Sequence, residues 1–459
     1  MLLQSLYPEF PLRTIPWLVP VLLLGVTPPA SAADGLNDLA RAYVAAHTAS
    51  AERDVPSFAR QTGLACSACH YQFLTLTPFG RKFKLNGYTM TNQVPIADKD
   101  SATNGGKLGL SPFSLLSAMV TAGITHTKDQ VPDTQNDVAA LPQELSLFLA
   151  GRISPKVGLF SQFTYAGPDG AFGIDNVDIR FANKGSLGGD KEIVYGLTLN
   201  NSPTVQDLWN TTPVWGFPFI GSEAAPGPAA STLIDGGLGQ SVLGLGGYGM
   251  FGNLVYAEFS VYRSALQGVA APDNTTGAIK GVAPYWRVAL QKDFDNQSVM
   301  VGTFGMQTSL FPENSPALSG PQDKYSDIGI DAQFESKVGS GNVVVRGSWI
   351  DEQQTLDATF LAGGSANTKN DLKTLRANAS YYPKQWLGLS GGYFDTRGSA
   401  DANLYGGEPN TTGFIGEVDL NPWENTRVGL QYTGYSKFDG TGTNASGNNT
   451  LFAFLWMAF

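Results

Sequence analysis

From about Ser111 to the C-terminus, apolar and polar residues alternate in runs of about ten, separated by Gly, Asn, Asp and Pro. Side chains two positions apart share one face of an extended chain, so this pattern predicts half-buried β-strands joined by turns. The runs begin near Pro112, Glu144, Lys156, Ile174, Glu192, Ser241, Leu254, Tyr285, Ser298, Tyr325, Asn342, Leu372, Trp386, Gly413, Thr426 and Thr450, which makes sixteen.

The connections alternate in length. Ser154-Pro155, Phe251-Gly252-Asn253, Phe294-Asp295-Asn296, Tyr382-Pro383-Lys384 and Asn421-Pro422-Trp423 are tight, whereas 201–240, 264–283, 351–370, 395–410 and 436–448 are long. An even strand number, with short turns on one rim and long loops on the other, is the organisation of an outer-membrane barrel. The faces agree. Trp286, Val288 and Leu290 oppose Arg287 and Gln291; Ile328, Ile330 and Phe334 oppose Asp331 and Gln333; Phe414, Val418 and Leu420 oppose Glu417 and Asp419. The expected class is mainly β: an antiparallel transmembrane β-barrel of about 16 strands over residues 106–459, preceded by a small helical or irregular segment. Asp178, Arg180, Glu258, Arg287, Asp331, Arg346, Arg376, Glu417, Asp419 and Arg427 fall on the inward face, where they can stay solvated or pair across the lumen, and the plain expectation is a solvated lining. In the last run Phe452, Phe454 and Trp456 break the alternation, so that inner face should meet something apolar. The aromatic-rich stretch 205–219 either turns into the pore or packs on the rim, and rim packing is the simpler expectation.

The N-terminal stretch before residue 106 reads differently. Ile15 to Val26 is an apolar run behind Arg13, followed by Pro28-Pro29-Ala30-Ser31-Ala32, an A-x-A cleavage pattern, so residues 1–32 are expected to be a secretory signal peptide. The run is too short for a spanning helix, and no later run reaches about 18 apolar residues. The full chain has 29 Lys+Arg and 39 Asp+Glu, a net charge of −10. That balance argues against nucleic acid as a partner.

The two cysteines and a neighbouring histidine form Cys66-Ser67-Ala68-Cys69-His70, the C-x-x-C-H spacing of c-type haem attachment. Two thiols at this spacing can form two thioethers, and the adjacent imidazole is then aimed at the iron. Zinc would need four ligands, and the other histidines, His47 and His126, are distant. A thioredoxin-like pair would need a βαβ context that is missing. One covalent haem c is therefore expected in segment 33–105, with His70 as the proximal ligand. Met90, His47, Met119 and His126 are candidates for the sixth position, and Met90 is the choice because it lies in the same segment. About 70 residues make a poor independent core, so the segment is expected to borrow walls by plugging the barrel from the periplasmic side.

Around the motif, Pro56-Ser57-Phe58-Ala59-Arg60-Gln61-Thr62-Gly63-Leu64 precedes Cys66, and Leu76-Thr77-Pro78-Phe79-Gly80-Arg81-Lys82-Phe83-Lys84-Leu85-Asn86-Gly87-Tyr88 follows His70. This segment resembles the fused monohaem cytochrome–porin family of outer-membrane proteins, whose best-known members are iron(II) oxidases. The resemblance covers roughly residues 56–90. It implies haem on Cys66 and Cys69, packing of the macrocycle by Phe58, Phe79, Phe83 and Tyr88, and propionate contacts from Arg60 and Arg81. It further implies electron transfer across the outer membrane, from an extracellular donor such as Fe(II) to a periplasmic carrier, either a cytochrome or a copper protein. The competing readings are a solute porin with a haem-containing, redox-sensitive plug and a haem enzyme with an open iron position.

Overall fold

The computed structural model describes residues 55–90, 115–130, 137–167, 170–186, 188, 191–265, 277–312 and 318–459. Residues 1–32, expected to be a signal peptide, His47 and residues 91–114 lie outside them.

Sixteen long strands follow one another: β1 Leu116–Thr127, β2 Asp137–Ser154, β3 Val157–Ala166, β4 Ala171–Ser186, β5 Glu192–Asn200, β6 Val242–Phe251, β7 Val255–Ser264, β8 Ala283–Asp293, β9 Gln297–Phe311, β10 Asp323–Val338, β11 Gly341–Thr355, β12 Lys369–Lys384, β13 Leu387–Gly398, β14 Thr411–Trp423, β15 Thr426–Lys437 and β16 Thr450–Ala458. Each is antiparallel to its neighbours, and β16 pairs with β1 through Ala458↔Met119 to Thr450↔Thr127, closing the sheet on itself. The two-residue strand Ala278–Ile279 adds to the end of β9. Every expected strand is present, and the alternation of short and long connections holds from β5 to β16; it fails before that, because the connection between β3 and β4 is as tight as the one between β4 and β5. No helix among the described residues is long and apolar enough to cross a membrane.

The face assignments hold as well. Trp286, Val288, Leu290, Ile328, Ile330, Phe414 and Val418 point outward and are exposed, while Arg287, Asp331, Glu417 and Asp419 point inward and are buried. Phe251, Phe294, Trp386 and Trp423 stand exposed beside the short turns. An outward apolar band edged by aromatic side chains is the surface that a lipid bilayer requires, so the chain is a porin-like outer-membrane barrel.

The inward charges correct one expectation: they are not a solvated lining. Asp178, Arg180 and Arg287 are fully buried because two inserts fill the lumen. The first is residues 55–90, with helices α1 Ser57–Thr62, α2 Cys66–Cys69 and α3 Pro78–Leu85 and a short hairpin from His70–Gln72 to Thr75–Leu76. It sits at the short-turn end: Gln61 donates to the Ala150 carbonyl at 3.0 Å near the end of β2, and the Cys66 N–H donates to Glu424 at 3.1 Å in the β14–β15 turn. The second is the 201–241 connection between β5 and β6, which enters from the long-loop end. Val205, Leu208, Trp209, Gln206 and Asp207 on it are buried, so this connection turns into the pore instead of packing on the rim.

The inserts complete the wall's charges. Tyr88 donates to Asp178 at 2.8 Å, and Asp178 also accepts from Arg180 at 2.6 Å. Arg287 spans Asp331 at 2.7 Å and Asp207 of the inserted connection at 3.2 Å. Arg346 donates to Thr75 at 2.6 Å and to the Asn210 carbonyl at 3.2 Å. Pairing of this kind is what keeps a buried ion from being prohibitively costly.

Candidate functional site

The Cys66–Cys69 helix is a single turn, entered from extended Ala65 and left through His70, whose N–H donates to the Cys66 carbonyl. Helix α3 is laid across it. Thr77 caps α3 by accepting from the Gly80 N–H at 3.1 Å, and its hydroxyl donates to the Ala68 carbonyl at 2.7 Å. Gly80 makes the contact close: a Cβ there would overlap the Cys69 carbonyl oxygen. On the other side of α3, the turn at Gly87 (φ +64°) presses on the wall so tightly that a Cβ on Gly158 of β3 would overlap the Gly87 carbonyl oxygen.

Both thiols are free and half-buried. Burial, and then the neighbouring Cys66, pushes the Cys69 thiol up to about 11. Burial and the nearby Glu424 carboxylate raise Cys66 as well, so both are neutral thiols at physiological pH. Burial pushes the His70 imidazole down to about 4, leaving it in the neutral form that can coordinate a metal. Its Nδ1 is buried without a hydrogen-bond partner.

His70 borders two spaces. One, of about 50 Å³, lies at the short-turn rim among Cys66, Tyr71, Gln385, Asn421 and Glu424. The other is a cavity of about 380 Å³ inside the barrel, within the size range of small-molecule and cofactor sites. Three parts of the chain wall it: Phe58, Phe73 and Leu74 from the plug; Met119, Phe148, Phe160 and Trp456 from β1, β2, β3 and β16; and Trp215, Phe219 and Ile220 from the inserted connection. Glu144, Gln162, Asp175, Asn176 and Arg427 form its polar margin. Arg427 is itself neutralised by Glu417 at 2.6 Å and Asp419 at 2.8 Å.

Aromatic contacts run along one side. The His70 ring stacks on Phe73 at 4.8 Å between centroids, and Phe73 lies 4.3 Å from Trp456. The Trp456 indole N–H donates to the Met119 sulfur at 2.6 Å. Phe452 and Phe454 form an apolar cluster with Ile220, so the aromatic inner face of β16 does meet apolar groups inside.

Cys66, Cys69 and His70 therefore share one turn; Cys66 and His70 border the small space at the rim, and of the three only His70 also borders the larger apolar cavity. Met90 follows the turn after α3, is half-buried and does not line this cavity, whereas Met119 does. His126 sits at the far end of β1, seven residues and roughly 23 Å along the strand from Met119, and its Nδ1 is engaged by Asp137 at 2.7 Å. Among the described residues no cluster of three or more His, Cys, Asp and Glu can hold a metal ion.

Of the four aromatics that the resemblance singled out, Phe58 lines the cavity; Phe83 and Tyr88 back it at 5.0 and 5.4 Å between centroids. Arg81 forms a buried two-pronged pair with Glu335 of β10, so its guanidinium is committed to the wall and not offered to a ligand. Arg60 donates to the carbonyls of Val55 and Leu116. The residues that sequence reasoning left unassigned are Trp215, Phe219 and Ile220. Their signal was the aromatic content of a long connection.

No protein-family model matches the chain, and no curated protein matches it in sequence. Among solved structures, it is similar to Vibrio cholerae OmpT with loop L8 deleted, at 11% identity over 75% of this chain and 98% of that one, with a TM-score of 0.44. It is also similar to Salmonella typhi OmpF in complex with daunomycin, at 13% identity over 75% and 97%, TM-score 0.44. The outer membrane channel DcaP of Acinetobacter baumannii matches at 14% identity over 75% and 96%, again with a TM-score of 0.44. These are likenesses of fold.

Proposed function

We propose that this protein moves single electrons across the outer membrane by way of one covalently attached c-type haem. The donor acts from the long-loop side, with ferrous iron as the one to test, and a periplasmic cytochrome or copper protein accepts at the short-turn rim. The observation that carries this reading is the placement of Cys66, Cys69 and His70 on one turn, with His70 between the rim and an apolar cavity of about 380 Å³.

The residues present fit such a group. Two neutral, unpaired thiols stand ready for thioether formation. The imidazole is neutral and buried. Gly80 leaves the bare backbone contact that lets α3 cover the attachment turn. When bound, a c-type haem supplies one-electron exchange at its iron, with a potential set by its axial ligands and by the polarity of its surroundings. The chain supplies the remainder. Cys66 and Cys69 would anchor the group, and His70 would supply an imidazole nitrogen to its iron. Phe58, Phe73, Phe148, Phe160 and Trp215 exclude water from the cavity. The plug and the inserted connection meet inside the lumen, where Lys84 lies over the Trp215 ring, and this narrows the space left to a solute.

Three measurements test the reading on the purified full-length protein. A pyridine haemochrome assay is expected to give one haem per chain, and none would overturn the proposal at its base. Stopped-flow mixing with ferrous iron at neutral pH is expected to reduce the haem, and a silent trace would remove iron as the donor. In planar bilayers the closed lumen should give little current; a wide, redox-independent conductance would favour solute transport.

A further inference from the structure

The cavity that faces His70 also names the group opposite it. Among the described residues that line it, His70 and Met119 are the only ones with a nitrogen or sulfur donor suited to haem iron; no Cys, Lys, Tyr or second His among them borders it. Met119 is 7% exposed, on the inward face of β1. Its sulfur is held by the Trp456 indole N–H at 2.6 Å, and Trp456 in turn reaches His70 through Phe73. A thioether sulfur has two lone pairs, so this hydrogen bond orients it and leaves one pair to donate.

We infer that Met119, a residue of the barrel wall, is the second axial ligand of the haem carried by the plug, with Trp456 as the positioning residue that aims its sulfur. This rests on the haem reading given above. The bond would run between two parts of the chain that are otherwise joined by hydrogen bonds and ion pairs, so the metal would tie plug to wall. The thioether would also raise the potential above that of a bis-histidine site. The Trp456 N–H, by drawing electron density from the sulfur, would raise it further.

The test uses the intact haem protein in detergent. If the wild-type pyridine haemochrome is absent, the haem reading fails and the ligand question does not arise. If haem is present, the oxidised protein is expected to show low-spin iron with the weak far-red absorption band of a ferric haem bound to thioether sulfur. Wild-type protein that holds haem but lacks this band overturns the inference without any variant. Met119→Leu conserves volume and is expected to abolish the band and give a high-spin spectrum, while Met90→Leu is expected to leave both unchanged. Retention of the band in Met119→Leu, or its loss in Met90→Leu, overturns the assignment. Met119→His is expected to restore low-spin iron with a lowered potential. Trp456→Phe keeps the ring but not the donor; it is expected to retain the band and lower the potential, and an unchanged potential would remove Trp456 from the proposal.

Discussion

The Lys84 ammonium lies 4.4 Å from the centre of the Trp215 ring, joining the last turn of the plug helix to the connection that enters from the opposite end of the barrel. The same ammonium donates to the Asp207 carbonyl at 2.5 Å and to the Asn210 side chain at 3.3 Å. Burial, and then the neighbouring Arg180, pushes Lys84 down to about 7, so this contact is made where water does not compete. The two inserts thus hold each other as well as the wall.

Trp215→Ala should therefore loosen the inserted connection. A desolvated cation–π contact is worth on the order of 2 kcal/mol, which corresponds to more than a tenfold change in a local opening equilibrium. Protease added to the long-loop face should cut within 201–240 at a correspondingly higher rate. An unchanged rate would mean that the wall alone holds this connection.

Arg81 and Glu335 are both about 5% exposed and pair directly. Arg81→Ala leaves a buried carboxylate without its cation and is expected to cost about 3–5 kcal/mol. The double change Arg81→Met with Glu335→Met should recover most of that, since apolar replacement of a buried pair is often neutral. Protease protection of the plug in folded barrels reads both. Equal loss in single and double variants would show that the pair does more than balance charge.

Gly80→Val places a side chain where the Cys69 carbonyl stands. Forced overpacking of about 3 kcal/mol or less should lift α3 from the attachment turn while the barrel still closes. The expected result is folded barrel carrying much less covalent haem, measured as haemochrome per chain. Full haem content would show that α3 does not need this approach.

Asp401, in the long connection after β13, accepts from the Ser365 hydroxyl at 2.5 Å, the Ala366 N–H at 2.8 Å, the Asn370 amide at 3.0 Å and the Leu404 N–H at 3.0 Å. Burial opposes its charge, but these donors outweigh it and hold the carboxyl well below the usual range. A depressed folded value means that the stabilisation is complete above the unfolded value of about 3.9 and is lost as pH falls beneath it. Hydrogen exchange in 356–369 and 399–410 should be slow and pH-independent in protection from pH 7 to about 5, and should lose protection toward pH 3. In Asp401→Asn that acid-dependent step should vanish.

The barrel was legible because each strand needs one apolar face toward lipid, and a period of two leaves that requirement visible in the chain. The least accurate boundary is instructive. Alternation placed the second strand near Glu144, yet it begins at Asp137. Pro142 donates no backbone hydrogen bond and reads as a break, but its own strand bulges around it, Leu141–Gln143 standing against the single residue Ala122 of β1, and the ladder resumes on both sides. The filled lumen was not legible. An inward Asp178 or Arg287 looks the same in sequence whether water or a second polar segment faces it, and only the inserts decide which. At the site, Cys66, Cys69 and His70 declared themselves through spacing. Met119 was one of four candidates and did not stand out among them, because a methionine in a strand is most often packing and its neighbour Trp456 is more than 300 residues away.

Met119 and Trp456 lie on the first and last strands, which are neighbours only because the ring is complete. This part of the chamber wall therefore exists only where the two ends of the sheet join. A chain cut short before Thr450 would lose Trp456 and with it the seam side of the cavity that His70 borders, leaving that chamber open toward the gap between the first and fifteenth strands.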